Sequence, residues 1–578
     1  MDNSSSKSPS DRGELAFLAA AAAVVVLGLL LLVGGALAAL LSGGGWTWPS
    51  TARLASTIGG VLTHASQPAR GYEPSLAPRI PGPVGFWVTV CVLFAAVLMG
   101  AVIGVVGVAA RRAKGGFATR DEVDKAFGIT KKAADRGAQG RAVGPVFASY
   151  LGRPVTARAE DTALVIAPAR AGKTTRIAAP LVKAAAGSVV ATSTKADLVR
   201  LTAIGRQRVG PVHVVDFDRV SAWPDIARWD IVRGCEAGRE AMVRSKALVA
   251  GRPLGGARNA DFFAETADTV LRCLLHAAAL SGASMREVQQ WARNFDDDEP
   301  YNILRKHPGA MPGWVDDLRK YCRSAAHETV ASTNMSLGLA MKSLADPDVL
   351  DLLCPEAGTG FDAQEFVNGA QTQTLYVLSE GAGEMSTAPL VTALVATIER
   401  AGRRASQHAP GGRLARPITF VLDEAPNVAP LPNLPSMMAD GGSRGMSTWV
   451  FAQAPSQLRE RWGTDGLDLI ADPAAIELVF GGLQDTGYLE RVSRLCGEQM
   501  VARKSYNTTR DSRSTSVSEQ RERVLPVEKI RTLPEGKPLM LYRSMRPAIV
   551  AVDGWWERPD AKEYRANDAA AMKLETRA

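Results

Sequence analysis

Cysteine and histidine are scarce in this sequence, with six residues of each type among 578. No two cysteines form a Cys-x-x-Cys pair, and the histidines add no spacing typical of metal ligands. The sequence therefore indicates neither a structural zinc site nor a disulfide framework. Isolated free thiols are typical of proteins in a reducing compartment such as the cytoplasm. The cysteines are Cys91, Cys235, Cys273, Cys322, Cys354 and Cys496.

A strong excess of one charge is also lacking, since the formal net charge is only +8. A balance of this size permits contact with nucleic acid or with an anionic membrane, but it is equally typical of solvated surface lysine and arginine. At 578 residues the chain is too long for one ordinary hydrophobic core. Several domains or a membrane part are therefore expected.

Long hydrophobic runs, in contrast, are present near the N-terminus. Every residue from Leu15 to Leu41 is Leu, Ala, Val, Gly or Phe, and a second uncharged run extends from Val84 to Ala110. At about 1.5 Å per helical residue, each run is long enough to cross a hydrocarbon core of about 30 Å. A cleaved signal peptide is the alternative for the first run, but that run is too long and follows acidic as well as basic residues. We predict two retained transmembrane helices.

The distribution of basic residues predicts the orientation of these spans. Arg111, Arg112, Lys114 and Arg120 follow the second run closely, whereas the loop 42–83 carries its arginines over a greater length. Because positively charged flanks stay inside, we predict that both termini are cytoplasmic and that the loop 42–83 lies outside. The body of the protein would then face the cytoplasm from the plasma (inner) membrane.

The segment 164–175 carries the clearest chemical pattern. An apolar run is followed by a loop of small residues, by Gly172-Lys173-Thr174 and by a helix-like stretch, which is nearly the phosphate-binding motif G-x-x-x-x-G-K-[ST]. Backbone N–H groups of such a loop bind phosphate, the lysine reaches the β- and γ-phosphates, and the threonine hydroxyl binds Mg²⁺. Ala167 stands where the motif has its first glycine, which is compatible only with a negative φ. The predicted nucleotide-binding residues are Ala167, Pro168, Ala169, Arg170, Ala171, Gly172, Lys173, Thr174 and Thr175.

A second pattern lies much later in the chain, where an apolar, β-rich run from Ile418 ends in Asp423 and Glu424. In P-loop nucleoside triphosphatases an aspartate at such a strand end supports Mg²⁺, and a following glutamate can accept a proton from the attacking water. The alternative for this segment alone is a buried strand that ends at a solvated acidic pair. Together, and in this order, the two motifs predict a nucleoside triphosphatase with Thr174 and Asp423 as Mg²⁺ ligands.

The remaining pattern predicts an α/β fold with an insertion. Strand-like and helix-like runs alternate from Leu164 onward, which indicates βαβ units and a mostly parallel sheet of the RecA-like P-loop class. Helix-like runs alone follow across 229–355, so we predict an all-α insertion that splits the sheet. Residues 501–523 are rich in Arg, Ser and Thr. They are expected to form a mobile loop, which is either solvated or in contact with nucleic acid.

These features predict the following division of the chain. The membrane part has a cytoplasmic N-terminus (1–14), a first span (15–41), an external loop (42–83) and a second span (84–110). A membrane-proximal connector and a nucleotide-binding domain in two parts follow, and the all-α insertion separates those parts. The predicted bounds are 111–158 for the connector, 159–228 and 356–560 for the nucleotide-binding parts, 229–355 for the insertion and 561–578 for a C-terminal tail.

With these motifs in hand, the sequence resembles the TraG/TraD-type coupling proteins of type IV secretion and conjugation, which are membrane-anchored P-loop ATPases of the FtsK/HerA translocase group. The resemblance covers nearly the whole chain, and the long proline-containing extension after the Asp-Glu pair is its most specific part. The family commonly has glycine at the position of Ala167. The features that carry the resemblance are the two apolar runs, the loop 167–174, the stretch 193–197 (STKAD), the stretch 423–432 (DEAPNVAPLP), and 441–445 (GGSRG) running into 451–453 (FAQ).

The resemblance implies roles for individual residues of the site. Lys173 and Thr174 would hold phosphates and Mg²⁺, Asp423 would support the metal, and Glu424 would activate water. Gln453 resembles a polar residue that senses the γ-phosphate in this group. The alternative for Gln453 is a polar residue at a strand end that bonds a loop.

The resemblance also implies an assembly and a cargo. Arg444 resembles an arginine finger that is offered to the nucleotide of a neighbouring subunit, where an Arg stabilises charge on the transferred phosphoryl group. A surface or DNA-facing arginine is the alternative, and Arg459 and Arg461 are nearby competitors. The family implies a homo-hexamer that uses ATP and Mg²⁺ to drive single-stranded DNA, with its bound relaxase, into the channel of a type IV secretion system.

Other functions remain open on sequence grounds. An FtsK-like translocase of double-stranded DNA is one, although that group typically carries a C-terminal winged-helix module and only a short tail follows Trp556 here. An ATPase that exports protein effectors without DNA is another. A non-enzymatic membrane scaffold is a weaker option, because the motif residues Lys173, Thr174, Asp423 and Glu424 are all present.

Overall fold

The computed structural model describes residues 9–113, 116–127, 145–251, 260–324, 326–356, 358–381, 383, 385–509 and 512–576. The chain divides into two compact units, Met1–Lys114 and Gly115–Ala578. Each unit has its own hydrophobic core, and the second unit contains both nucleotide-binding motifs.

The first unit contains the helices Pro9–Leu41, Leu54–Thr63 and Pro83–Ala113. The first and third of these helices pack against each other through small and apolar residues. A Cβ atom at Gly34 would lie 2.8 Å from Cγ2 of Val90, so glycine at this position lets the two long helices approach closely.

One helical stretch of the described residues, Pro83–Gly100, is long and apolar enough to cross a bilayer. Apart from Pro83, this stretch lies within the second predicted span, 84–110. The apolar stretch Val25–Leu41, at the end of the first predicted span, is shorter. The arrangement with two spans and both termini in the cytoplasm therefore stays a prediction.

In the second unit, the helix Arg120–Phe127 is followed by a small antiparallel pair of strands and then by a nine-stranded sheet. A separate two-stranded hairpin, β10 and β11, is inserted before the last two strands of that sheet. The strands are β1 (Val146–Tyr150), β2 (Arg153–Thr156), β3 (Ala163–Ile166), β4 (Ser188–Ser193), β5 (Val212–Asp216), β6 (Thr374–Leu378), β7 (Ile418–Leu422), β8 (Met446–Ala452), β9 (Ile476–Val479), β10 (Glu498–Thr509), β11 (Ser512–Arg523), β12 (Leu539–Tyr542) and β13 (Ala548–Ile549).

The order of strands across the large sheet is β13-β12-β9-β3-β8-β7-β4-β6-β5. Every neighbouring pair from β9 to β5 is parallel, whereas β12 runs antiparallel to both β9 and β13. The predicted α/β fold with a mostly parallel sheet is thus confirmed. Because β3, β7, β8 and β9 are parallel, the residues that follow them meet at one edge of the sheet.

Side chains along β3 belong alternately to two hydrophobic clusters, which shows that both faces of the sheet are covered. Leu164 and Ile166 belong to one hydrophobic cluster, while Ala163 and Val165 belong to the other. All four side chains are fully buried, as expected for a parallel strand packed by helices on both sides. The helices outside the insertion are Arg120–Phe127, Ala179–Ala184, Asp197–Gln207, Ala388–His408, Ala425–Val428, Leu434–Asp440, Pro455–Trp462, Gly466–Ala471, Thr486–Leu495, Val527–Arg531 and Ala561–Glu575.

Between β5 and β6 the chain leaves the sheet for a helical insertion and returns beside β5. Leu271 and Leu274 of its longest helix are buried in the core, so the apolar stripe there packs inside the protein. Ser284 and Glu287 form a capping box that begins the next helix. The helices of this region are Gly238–Gly251, Ala260–Ser281, Met285–Arg293, Glu299–Lys306, Trp314–Cys322, His327–Ala340, Pro347–Leu352 and Ala363–Asn368.

The prediction of a mobile loop over 501–523 is wrong for the described part of that segment. Its residues form the antiparallel hairpin β10–β11, which is paired from Glu498 with Arg523 to Thr509 with Ser512. The segment is rich in Arg, Ser and Thr, so its sequence shows no apolar alternation of the kind that predicts a half-buried strand. At its base, Arg523 forms an ion pair with Glu490 on the body of the protein.

Candidate nucleotide-binding site

The loop after β3 has the backbone of a phosphate-binding turn. Its residues with positive φ are Arg170, at 65°, and Gly172, at 78°, whereas Ala167 is not among the residues with positive φ. Ala167 is fully buried, and its N–H donates to the carbonyl of Ala452 over 3.0 Å. An alanine in place of the first glycine therefore fits this loop without strain.

The helix after the loop begins with a π-helical turn, Thr174–Ala178, and continues as the α-helix Ala179–Ala184. Pro180 occupies one of the first positions of the α-helical part, where proline is tolerated, so the helix continues through it. Thr175 Oγ1 donates to the carbonyl of Gly172 over 3.2 Å. The first N–H groups of this helix and its dipole favour an anion at the loop.

Two carboxylates come to this loop from the end of β7. Thr174 Oγ1 donates to Asp423 Oδ2 over 2.8 Å, and Lys173 forms an ion pair with Glu424 Oε1. The amide of Gln453, which follows β8, donates to the same Glu424 oxygen over 2.7 Å. The structure thus brings together five of the predicted site residues, although 249 positions separate Thr174 from Asp423.

Glu424 has an unusual backbone for a glutamate. Its φ and ψ of 55° and 39° lie in the left-handed region, and the residue stands directly before the short helix Ala425–Val428. Residues other than glycine in this region store strain, and such strain is concentrated at functional sites. The turn aims the Glu424 side chain at Lys173 and Gln453.

The two carboxylates are buried and only partly satisfied by the protein. Burial raises the pKa of Asp423 to about 6, against the opposing effects of Lys173 and of the Thr174 hydroxyl. Among the described residues, Asp423 Oδ1 and Glu424 Oε2 have no hydrogen-bond partner. Buried oxygens without donors are unfavourable, so this pair fits a divalent cation and its bound water. The Asp423 carboxylate and the Thr174 hydroxyl are oxygen donors of the hard type that Mg²⁺ prefers.

The predicted arginine finger lies elsewhere. Arg444 lies two positions before the start of β8, so it stands at the sheet edge opposite the one that carries the phosphate loop. Its guanidinium pairs with Asp440 over 3.2 Å. Of the two competitors, Arg459 pairs with Asp485, and Arg461 donates to the carbonyl of Pro426 over 2.8 Å. Arg444 therefore does not join the site of its own chain.

Sequence reasoning missed one residue that borders the loop. Arg176, two positions after Thr174, is 8% exposed and donates to the carbonyl of Val552 over 3.1 Å. It also pairs with Glu535 and Glu557, which lie more than 350 positions further along the chain. No local pattern signals a contact of that range, because only the fold brings these segments together.

A strand, a phosphate-binding loop, a helix and two buried carboxylates define the nucleotide site of a P-loop protein. The comparisons with known proteins agree with this class. Residues 417–535 match the family described as the TraM recognition site of TraD and TraG. That stretch runs from β7, with its two carboxylates, through the hairpin β10–β11. The resemblance to TraG/TraD-type coupling proteins is confirmed over these residues.

Solved structures agree on the fold. The bacterial conjugative coupling protein TrwB, in an unbound monoclinic form that lacks its N-terminal segment, has a TM-score of 0.54 and 17% identity. The match covers 74% of this chain and 92% of that chain. TrwB in complex with ADP and Mg²⁺ has a TM-score of 0.53 and 17% identity, and covers 74% of this chain and 93% of that one. A TrwB complex with the ATP analogue ADPNP has a TM-score of 0.52 and 16% identity over 74% and 92% of the two chains. No curated protein sequence matches the chain.

Proposed function

We propose that this protein is a membrane-anchored ATPase that couples relaxase-bound single-stranded DNA to a type IV secretion channel and drives its transfer. The observation that carries the proposal is the convergence of Lys173, Thr174, Asp423, Glu424 and Gln453 on one loop, each from a position that the family pattern predicts. The match of residues 417–535 to TraD and TraG supports conjugation as the setting. The solved TrwB complexes with ADP and with ADPNP support a nucleotide as ligand.

We infer the following role for each residue from its contacts. Lys173 would hold the β- and γ-phosphates, and for this its ammonium group exchanges the Glu424 carboxylate for phosphate oxygens. Thr174 and Asp423 would hold Mg²⁺, which neutralises charge on the phosphates when it is bound. Release from Lys173 leaves Glu424 as the base that accepts the proton of the attacking water. Gln453 keeps its bond to Glu424 and orients that carboxylate.

The position of Arg444 supports a ring of subunits. Because it stands at the opposite sheet edge from its own phosphate loop, an Arg444 that serves as an arginine finger would have to reach the nucleotide of another subunit. The ion pair with Asp440 holds its guanidinium in place. We propose a homo-hexamer in which Arg444 completes the neighbouring site, as arginine fingers do in related motors.

The membrane part anchors this ring. In the proposal, two spans at 15–41 and 84–110 hold the protein in the inner membrane with both termini and the ATPase body in the cytoplasm. The apolar helix Pro83–Gly100 supports one of these spans. Basic residues of the ring would contact DNA phosphates without sequence preference, which predicts binding that weakens as salt rises.

The test is ATP hydrolysis by the full-length protein in detergent, with no DNA, with single-stranded DNA and with duplex DNA. We expect stimulation by single strands, and loss of hydrolysis in Lys173→Ala while the variant still inserts into membranes. Stimulation by duplex alone would favour an FtsK-like translocase, and hydrolysis indifferent to both would favour protein export. Hydrolysis at the wild-type rate in Lys173→Ala would refute the proposed site.

A further inference from the structure

The order of strands fixes the direction in which a bound nucleotide runs. Asp423 and Glu424, which mark the γ-phosphate end, follow β7, and both β8 and β7 lie on one side of β3. On the other side of β3 lie β9, β12 and β13. A triphosphate that rests on the loop after β3 with its γ-phosphate toward β7 therefore directs its nucleoside toward β9, β12 and β13.

The segments that flank those three strands meet at the sheet edge that carries the phosphate loop. β12 is antiparallel to β9, and β13 is parallel to it, so the segments 480–485, 532–538 and 550–557 all lie at the edge of the phosphate loop. The N–H of Trp555 donates to the carbonyl of Thr175 over 3.3 Å. A Cβ atom at Gly482 would lie 3.3 Å from Cγ of Pro168. These segments thus border the phosphate loop directly.

Arg176 ties the last two segments to the loop. Its Nη2 lies 2.9 Å from Glu535, and its Nη1 lies 3.2 Å from Glu557. A Cβ atom at Gly172 would lie 2.9 Å from Nε of Arg176, so this guanidinium lies against the last glycine of the phosphate motif. That Nε is buried and has no hydrogen-bond partner among the described residues.

Beside Arg176 stands an exposed aromatic ring. The guanidinium carbon of Arg176 lies 5.3 Å from the ring centroid of Trp556, and Trp556 as a residue remains 43% exposed. A Cβ atom at Gly554 would lie 2.5 Å from Cζ2 of Trp556, so this glycine allows the ring to fold back over the segment. Glu535 and Glu557 keep 70% and 51% of their side chains exposed next to it.

A partly exposed tryptophan and exposed carboxylates are groups that can bind a nucleoside, through stacking on the base and hydrogen bonds from hydroxyl and amino groups. We propose that the C-terminal segment 535–557 forms the nucleoside subsite of the ATP site, in which Trp556 stacks on the base and Glu535 accepts a hydrogen bond from the nucleoside. The inference rests on the proposed ATPase function. It adds a binding residue more than 380 positions away from the phosphate loop.

The test compares ATP with inorganic tripolyphosphate, which carries the phosphates without a nucleoside. Binding of each to the full-length protein in detergent, with Mg²⁺, is measured by calorimetry for wild type, Trp556→Ala and Trp556→Phe. Stacking on an aromatic ring predicts that Trp556→Ala weakens ATP binding about tenfold or more and leaves tripolyphosphate binding unchanged. Trp556→Phe keeps an aromatic face and should bind ATP within about threefold of wild type.

Two further variants separate this inference from the function on which it rests. Trp48→Ala removes another exposed tryptophan, in the first unit, and should leave both affinities unchanged. Lys173→Ala should weaken the binding of both ATP and tripolyphosphate. Unchanged binding in this variant would refute the phosphate site itself. The proposed nucleoside subsite is refuted if Trp556→Ala binds ATP as tightly as wild type does. It is also refuted if the affinities of this variant for ATP and for tripolyphosphate fall by the same factor.

Discussion

Lys173 and Glu424 form an ion pair in which the two side chains are only 11% and 8% exposed. The same carboxylate oxygen of Glu424 also accepts from Gln453. In the proposed mechanism, the residue that would hold the phosphates is thus bonded to the residue that would act as base. A phosphate that took the place of Glu424 at the ammonium group would release this carboxylate, so the proposal couples nucleotide binding to release of the base.

The first prediction concerns Glu424→Gln. An amide cannot accept a proton from water, so hydrolysis should fall about 100-fold or more, as loss of a general base does. Without its negative charge, the substituted side chain competes less with phosphate for Lys173, and ATP should bind at least as tightly as in wild type. Turnover and nucleotide binding on the same preparation check both parts. Glu380→Gln, an exposed carboxylate at the end of β6, is the matched control and should change neither quantity.

The second prediction concerns the pH dependence that Asp423 imposes. Burial raises its pKa from 3.8 to about 6. Its contribution to the stability of the folded state is therefore fully present below pH 3.8 and is lost as the pH rises through about 6. The change corresponds to up to about 3 kcal/mol. Asp423→Asn should accordingly melt at a higher temperature than wild type at about pH 8, with the difference vanishing near about pH 4.

Thermal unfolding without nucleotide, at a series of pH values, measures this effect. Asp465→Asn, at an exposed carboxylate, should show no such divergence from wild type. The effect of Asp423→Asn on Mg²⁺-dependent hydrolysis should be opposite to its effect on thermal stability. Hydrolysis should be lost in Asp423→Asn at every pH and should decline in wild type below about pH 6, where Asp423 becomes protonated. Parallel melting curves of wild type and Asp423→Asn across the range would contradict the assignment.

The third prediction compares two changes in the phosphate loop. Gly172 has φ of 78°, and a Cβ atom there would lie 2.9 Å from Arg176 Nε, so Gly172→Ala should distort the loop and abolish ATP binding. Ala167→Gly, at the position where the family has glycine, should leave ATP affinity within about threefold, because Ala167 has no positive φ to relieve. Calorimetric titration with ATP and Mg²⁺ decides both. A large gain in affinity for Ala167→Gly would show that alanine weakens the site.

The motifs predicted much of this molecule because they are local. The loop 167–174 and the Asp423-Glu424 pair each combine a strand, a turn and fixed residue types, so their chemistry is visible in the sequence alone. The strand-like runs 212–216 and 374–378 of the sequence coincide with β5 and β6, since buried parallel strands are continuous apolar stretches.

What the sequence could not predict depends on contacts between distant segments. Arg176 meets Glu535 and Trp556 only because β12 and β13 pair beside β9. The hairpin β10–β11 was not predicted from the sequence for another reason. Its sequence is rich in Arg, Ser and Thr, and it lacks the period of two in hydrophobicity that arises when one face of a strand is buried.

The last prediction tests whether Arg444 acts on a neighbouring subunit. Arg444→Ala should bind ATP normally but hydrolyse it at least about 1,000-fold more slowly, as loss of an arginine finger does. Lys173→Ala should be inactive as well, because its own site cannot hold ATP. When the two variants are mixed, some Lys173→Ala subunits supply Arg444 to an intact site of an Arg444→Ala neighbour. Mixed assemblies should therefore regain part of the activity, and a titration of one variant into the other measures it. Absence of recovery, with mixed assembly verified by tagged subunits, would place the finger elsewhere, and the same experiment with Arg459→Ala or Arg461→Ala would then identify it.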